Sequence, residues 1–145
     1  MELNCKDIDE LKLYTLDTNK FSLNGVITYG KCVSVYDGDT INVVFRLPLD
    51  NKYYKWVVRL NGIDTPEIKT KNIDEKVKGC LARDYLKMML LDKIIVLHCL
   101  DFDKYGRLLA NIYLDNKISL TDDMISKGYG KPYSGGTKEE WSAEK

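Results

Sequence analysis

The spacing of hydrophobic residues changes along the chain, and each change marks an element. From Val26 onward the pattern is that of strands. Over residues 31–36, Val33 and Val35 fall on one side, with Cys32, Ser34 and Tyr36 on the other. Asp37-Gly38 follows as a turn signal. Ile41, Val43, Phe45 and Leu47 then alternate with Asn42, Val44 and Arg46, which predicts a half-buried strand. After a turn over 48–52, Tyr54, Trp56, Val58 and Leu60 alternate with Lys55, Val57 and Arg59, a third strand. Three strands in close succession predict an antiparallel meander.

Thr65-Pro66 breaks the alternation, and a lysine-rich loop is expected to about Lys76. Val77, Cys80, Leu81, Tyr85, Met88 and Met89 recur at helical spacing, which predicts a helix over 77–91 with that face in the core. Residues 94–100 are a nearly unbroken apolar run, expected to be a strand buried on both faces. Tyr105-Gly106 turns, and Leu108, Ala110, Ile112 and Leu114 mark a fifth strand. Asp115-Asn116 turns again. A short helix is expected over 121–127, with Thr121 as N-cap and Gly128 just past its end. A Gly-rich loop over 131–137 leads to the start of another helix over 138–145.

Five short strands with a helix between the third and fourth, followed by C-terminal helices, is the layout of an OB-fold barrel, a mainly β fold with α. The chain is expected to divide into an extension, 1–25, and one domain, 26–145. A length of 145 residues suits a single domain, and the barrel is expected to be a monomer. The apolar runs are far shorter than the ~20 residues of a membrane span, so no membrane is implied. The polar, acidic start lacks the features of a secretory leader, which points to an intracellular, cytoplasmic protein.

The chain carries no net charge. Lys and Arg number 22 and Asp and Glu number 22, so no overall field draws nucleic acid or membrane. Any anionic ligand must be held locally. Cys5, Cys32, Cys80 and Cys99 have no Cys-x-x-Cys spacing and read as small buried apolar side chains rather than a disulfide framework. The single histidine, His98, lies in an apolar strand and reads as structural, which disfavours a histidine-zinc site or a Ser-His-Asp triad.

Three clusters remain as candidate chemistry: residues 37–40 (Asp-Gly-Asp-Thr), residues 59–67 (from Arg59 to Glu67) and residues 103–107 (Asp-Lys-Tyr-Gly-Arg). Each lies at a strand end, where a barrel rim would collect it. Singly, the first and third read as turns, Arg59 as an ordinary outward strand residue, and Asp64-Thr65-Pro66-Glu67 as a strand exit. Together they fit phosphodiester hydrolysis. That reaction needs a hard cation to draw in and polarise the phosphate, and Asp39 and Asp64 are suitable oxygen donors. It needs a carboxylate to position or deprotonate water, and Glu67 lies three residues past Asp64, across Pro66. It needs cations on the phosphate oxygens. Arg59 and Arg107 supply guanidinium forks that bind phosphate bidentately and stay charged. On residue chemistry alone, Mg²⁺ suits the two carboxylates nearly as well as Ca²⁺.

These three motifs, in this order and at these intervals, resemble the thermonuclease (staphylococcal nuclease-like) family from about Val26 to Gly128. The resemblance implies an OB-fold nuclease that cleaves DNA and RNA with calcium, prefers single strands and releases 3′-phosphate products. It implies that Asp39, Asp64 and the Thr65 carbonyl hold Ca²⁺, that Glu67 acts on the attacking water, and that Arg59 and Arg107 clamp the phosphate. Lys104 and Tyr105 would contact a neighbouring phosphate, and Tyr133 would stack on a base. The chain departs from the family in its longer N-terminal extension, its balanced charge, its sequence over 130–136 and its short last helix. A competing reading is a non-catalytic OB module that binds nucleic acid or protein. Such modules usually lose the active-site set, whereas Asp39, Arg59, Asp64, Glu67 and Arg107 are all present here.

Overall fold

The computed structural model describes residues 2–115 and 117–135. Five strands close into a barrel: β1 (Ile27–Val35), β2 (Thr40–Arg46), β3 (Tyr53–Leu60), β5 (Ile94–Phe102) and β6 (Leu108–Tyr113). Around the barrel they run β1-β2-β3-β6-β5. β1, β2 and β3 form the expected antiparallel meander. β5 pairs antiparallel with both β1 and β6, and a parallel pairing of β3 with β6 closes the ring. This is the OB-fold architecture that the element order predicts.

The core is the inner face of that barrel. Cys32, Ile41, Val43, Phe45, Val58, Leu60, Ile95, Leu97, Leu108, Ala110 and Ile112 are all buried. β1 serves two neighbours, and Gly30 sits at the corner. A Cβ there would lie 2.6 Å from Val43 Cγ1 and 2.7 Å from Leu97 Cδ1, so glycine leaves the space that these core side chains fill.

Several local expectations change. The 94–100 strand is buried on one face only. Ile95, Leu97 and Cys99 point inward, Val96, His98 and Leu100 are half-buried, and Ile94 is exposed. A closed barrel has one dry face, and among the described residues nothing fully covers the outer face of this strand. His98 lies against the Tyr113 ring, 4.6 Å between centroids. The long helix α2 (Ile73–Leu90) begins four residues before Val77. Asn72 caps it, its side chain accepting from the Glu75 N–H, and Asp74 and Glu75 favour the positive end of the helix dipole.

The packed face of α2 overlaps the expected one only in part: Tyr85 is buried and Cys80 and Met89 are half-buried, but the face is turned toward smaller residues. Gly79, Ala82, Tyr85, Leu86 and Leu90 are buried, whereas Val77, Leu81 and Met88 are exposed. Small residues at 79 and 82 let the helix lie close to the barrel rim, and that close approach decides which face is covered.

Helix α3 (Leu120–Ser126) is capped by Ser119 rather than Thr121. The Thr121 hydroxyl instead donates to the Asn61 carbonyl, 3.0 Å away. Gly128, at φ 80°, ends the helix, with Gly128 N–H on the Ile125 carbonyl and Tyr129 N–H on the Met124 carbonyl. A two-stranded ribbon joins β4 (Ile63–Asp64) to β7 (Lys131–Pro132). Two-residue strands carry no period, so the 131–137 segment reads as loop from sequence alone. The Asp115-Asn116 turn and the helix expected over 138–145 fall on or within residues outside those described.

Before the barrel, helix α1 (Cys5–Leu11) contributes no buried residue, and Leu23 is the first side chain in the core. None of the four cysteines is in a disulfide, and Cys5, unlike Cys32 and Cys99, is exposed. Among the described residues, no helix is long and apolar enough to cross a membrane.

Candidate active site

One end of the barrel gathers the candidate residues, and strand register explains how. In the β2–β3 pair, Thr40 lies opposite Arg59, and the Leu60 N–H donates to the Asp39 carbonyl at 2.8 Å. Arg59 and Asp39 are therefore cross-strand neighbours. Their side chains form an ion pair, Nη2 to Oδ2 at 3.4 Å, with only 8% and 10% of each side chain exposed. Arg59 Nη1 donates to the Leu60 carbonyl, and the Thr40 hydroxyl donates to Asp39 Oδ1. As an isolated strand residue Arg59 is expected to face solvent. The rim covers it instead.

The second arginine arrives through the parallel pair. Val58 lies opposite Leu108, Arg59 opposite Leu109 and Leu60 opposite Ala110. Val58, Leu60, Leu108 and Ala110 face the core, so Arg59, Leu109 and Arg107 share the outer face. Arg107 is held by its own turn. Asp103 Oδ1 accepts from the backbone N–H groups of Tyr105 and Arg107, and Oδ2 accepts from Arg107 Nε at 2.8 Å. Burial alone would raise the Asp103 pKa. The N–H bonds and the guanidinium outweigh it and hold the carboxyl below its ordinary value. Gly106, at φ 82°, allows the tight turn.

Arg59, Arg107, Lys104, Tyr105 and Tyr133 line one open cleft of about 530 Å³, with Asp103 and Leu109 also in its wall. Lys104 Nζ and the Arg107 guanidinium lie 5.2 Å and 5.4 Å from the Tyr105 ring centroid. Tyr133 reaches the cleft through the β4–β7 ribbon, its N–H donating to the Gly62 carbonyl at 3.0 Å.

The acidic group lies behind Arg59. Asp39, Thr40, Arg59, Asp64 and Thr65 are the buried polar and charged residues of the described chain. Burying such groups is costly unless they are paired, so their concentration at one rim marks a site rather than a packing solution. A Cβ at Gly38 would lie 2.8 Å from Thr65 Oγ1, so glycine lets the 37–39 turn close onto Thr65. Asp37 Oδ1 accepts from the Asp39 N–H, and burial, then the Asp39 charge, raise the Asp37 pKa to about 6. Asp37 belongs to this group, although its turn position in the sequence marked only Asp39 as a ligand.

Glu67 is not in the cleft with the arginines. It is exposed and lines a separate depression of about 150 Å³ with Tyr36, Asp37, Ile68, Lys69 and Arg83. Its backbone is clamped by α2. The Glu67 N–H donates to Glu75 Oε2 at 3.0 Å, and a Cβ on Gly79 would lie 2.7 Å from the Pro66 carbonyl. Among the described residues, no three His, Cys, Asp or Glu side chains gather closely enough to hold a metal between them. The available donors are Asp39, Asp64 and backbone oxygen. This set is all oxygen and carries excess negative charge beside Asp37, so it fits a hard divalent cation rather than a soft one.

A closed five-stranded barrel with a buried carboxylate–arginine group at its rim belongs to the OB-fold class. Within that class, the chain belongs to the staphylococcal nuclease homologue family, whose model matches residues 57–144. That match covers Arg59, Asp64, Glu67 and Arg107 and begins after Asp39, which β2–β3 pairing brings to the same rim. The chain is similar to an uncharacterized protein of Methanocaldococcus jannaschii, 31% identical over 72% of this chain and 59% of that one. It is similar to an uncharacterized protein of Bacillus anthracis, 36% identical over 77% of this chain and 50% of the relative. A relative from Escherichia coli O157:H7, described as an uncharacterized endonuclease, is 31% identical over 69% and 58%. The chain thus spans half to three-fifths of the length of these relatives.

The buried ion pair gives a prediction about stability. Arg59→Ala leaves the Asp39 carboxylate buried without its guanidinium. Removing one partner of a buried pair typically costs about 3–5 kcal/mol. Thermal unfolding without ligand should show a clearly lowered midpoint. An unchanged midpoint would show that solvent reaches Asp39 freely.

Proposed function

We propose that the protein is a calcium-dependent nuclease that hydrolyses phosphodiester bonds of DNA and RNA with little sequence specificity. One observation carries this reading: Arg59, near the end of β3, and Arg107, in the turn before β6, line one open cleft, and Arg59 is paired with a buried carboxylate. Two fixed guanidinium groups beside an acidic oxygen set can bind a phosphate and meet its transition-state charge.

In this reading Asp39, Asp64 and the Thr65 carbonyl hold Ca²⁺, which when bound supplies positive charge that draws in and polarises the phosphate. Arg59 and Arg107 donate to the non-bridging oxygens as negative charge builds during attack. Glu67 accepts the proton of the attacking water at its carboxylate. Cleavage releases a 5′ hydroxyl and leaves a 3′ phosphate. Lys104 and Tyr105 contact the next phosphate, and Tyr133 stacks on a base that a duplex would hide, which favours single strands.

The test is incubation of the chain with denatured DNA and with RNA at fixed salt. Cleavage should appear with Ca²⁺, be slower with Mg²⁺ and fall to background in excess chelator. Cleavage that persists in chelator overturns the metal assignment. Equal rates with both ions overturn the choice of calcium. Binding of the oligonucleotide without cleavage under every condition would favour the non-catalytic module.

A further inference from the structure

The depression that holds Glu67 contains residues that the hydrolytic steps do not use. Tyr36 follows the last residue of β1, and its backbone is fixed by a 2.9 Å bond from its N–H to the Thr40 carbonyl. The residue is 58% exposed, so it is not part of the core. Lys69 lines the same depression, its Nζ 5.8 Å from the Tyr36 ring centroid. Arg83 reaches the same depression from α2, its Nε donating to Asp84. An exposed aromatic face flanked by two cations is what a single-stranded nucleic acid stacks and pairs on.

Position strengthens the case. Asp37 lines this depression and bonds to Asp39, Asp39 pairs with Arg59, and Arg59 lines the larger cleft. The two recesses are therefore joined through the carboxylate group. We propose that Tyr36, Lys69 and Arg83 form a second nucleotide subsite, on the other flank of the scissile phosphate from Tyr105 and Tyr133. The proposal rests on the nuclease reading for the position of the scissile bond. Tyr36 stacks on one base, and Lys69 and Arg83 hold the phosphate beyond it. At about 150 Å³ the recess takes a ring face or a phosphate, and the rest of that nucleotide stays in solvent.

The experiment uses a single-stranded oligonucleotide, intact and with one abasic residue placed at each position in turn. Product lengths give the rate at each link and thereby the register. Tyr36→Ala should lower kcat/KM on the intact strand about tenfold, the usual scale for one lost base–aromatic stack. One flanking abasic position should slow the parent similarly and add nothing to the variant, because both remove the same contact. Tyr36→Phe should keep the parent rate. Lys69→Ala should reduce the dependence of binding on salt by about one counterion. Tyr53→Ala, which removes an exposed ring on the opposite end of β3, should change nothing.

If Tyr36→Ala cuts within twofold of the parent, or its defect persists equally at every abasic position, the subsite is overturned while the nuclease stands. If the parent binds without cutting, fluorescence anisotropy decides. Tenfold weaker binding by Tyr36→Ala then supports the subsite as a binding surface and rejects the nuclease, and unchanged binding overturns both.

Discussion

Arg107→Ala is expected to lower kcat by about 10²–10³ with a small effect on KM, the usual loss when one preorganised donor to transition-state charge is removed. The structure gives the donor its precision. Asp103 binds Arg107 Nε at 2.8 Å, and the same carboxylate accepts two backbone N–H bonds of the 103–107 turn. The guanidinium is thus locked before any substrate arrives, and binding need not order it. Arg107→Lys retains charge but not the planar fork or the Nε bond to Asp103, so it should recover little. Asp103→Asn should give an intermediate loss, because the turn keeps an acceptor but the guanidinium loses its charged partner. Steady-state kinetics on a short single-stranded oligonucleotide measures all three. Activity within a few-fold of the parent in Arg107→Ala would remove this residue from the mechanism.

Glu67→Gln is expected to lower kcat by about 10²–10⁴, the range for loss of a general base. The substitution keeps shape and removes only the proton acceptor. The backbone should stay in place, because the Glu67 N–H is held by Glu75 and the adjoining Pro66 carbonyl packs on Gly79. Glu67 is exposed and outside the proposed ligand set, so Ca²⁺ affinity measured by calorimetry should be unchanged. A large fall in affinity with kcat preserved at saturating Ca²⁺ would make Glu67 a metal ligand instead. Unfolding should also be little affected, which separates this variant from Arg59→Ala.

The family's acidic and basic residues were legible as three motifs because their residue types serve one reaction and their order along the chain is distinctive. Their spatial grouping was less legible. Glu67 reads as a neighbour of Asp64 from its spacing, yet it opens onto the recess of Asp37, Lys69 and Arg83 rather than onto the arginine cleft. Tyr133 stands out in the sequence only through the family resemblance, and pairing of Lys131 and Pro132 with Asp64 and Ile63 is what puts its segment at the cleft. Asp103 read as a charged turn residue, and its part in holding Arg107 appears once the turn is closed.

The α2 helix shows the same division. Its existence and the burial of Tyr85 follow from 3.6-residue spacing, but hydrophobicity does not account for the burial of its N-terminal half. Val77, Leu81 and Met88 outweigh Gly79 and Ala82 on any apolar scale, yet the small residues are covered. Close approach to the 66–67 carbonyls selects side chains by size, and no local pattern registers what lies on the other side of a contact.

Alone, the sequence determined the five barrel strands, the long helix and the chemical identity of the site residues. Those properties depend on side-chain period and residue chemistry, which act over a few positions. The tertiary structure decided the parallel β3–β6 pairing, which links residues about fifty positions apart. Pairing of that kind is set by closure of the whole ring and not by either strand. It places Arg59 and Arg107 on one outer face, and the β2–β3 register adds Asp39 behind them.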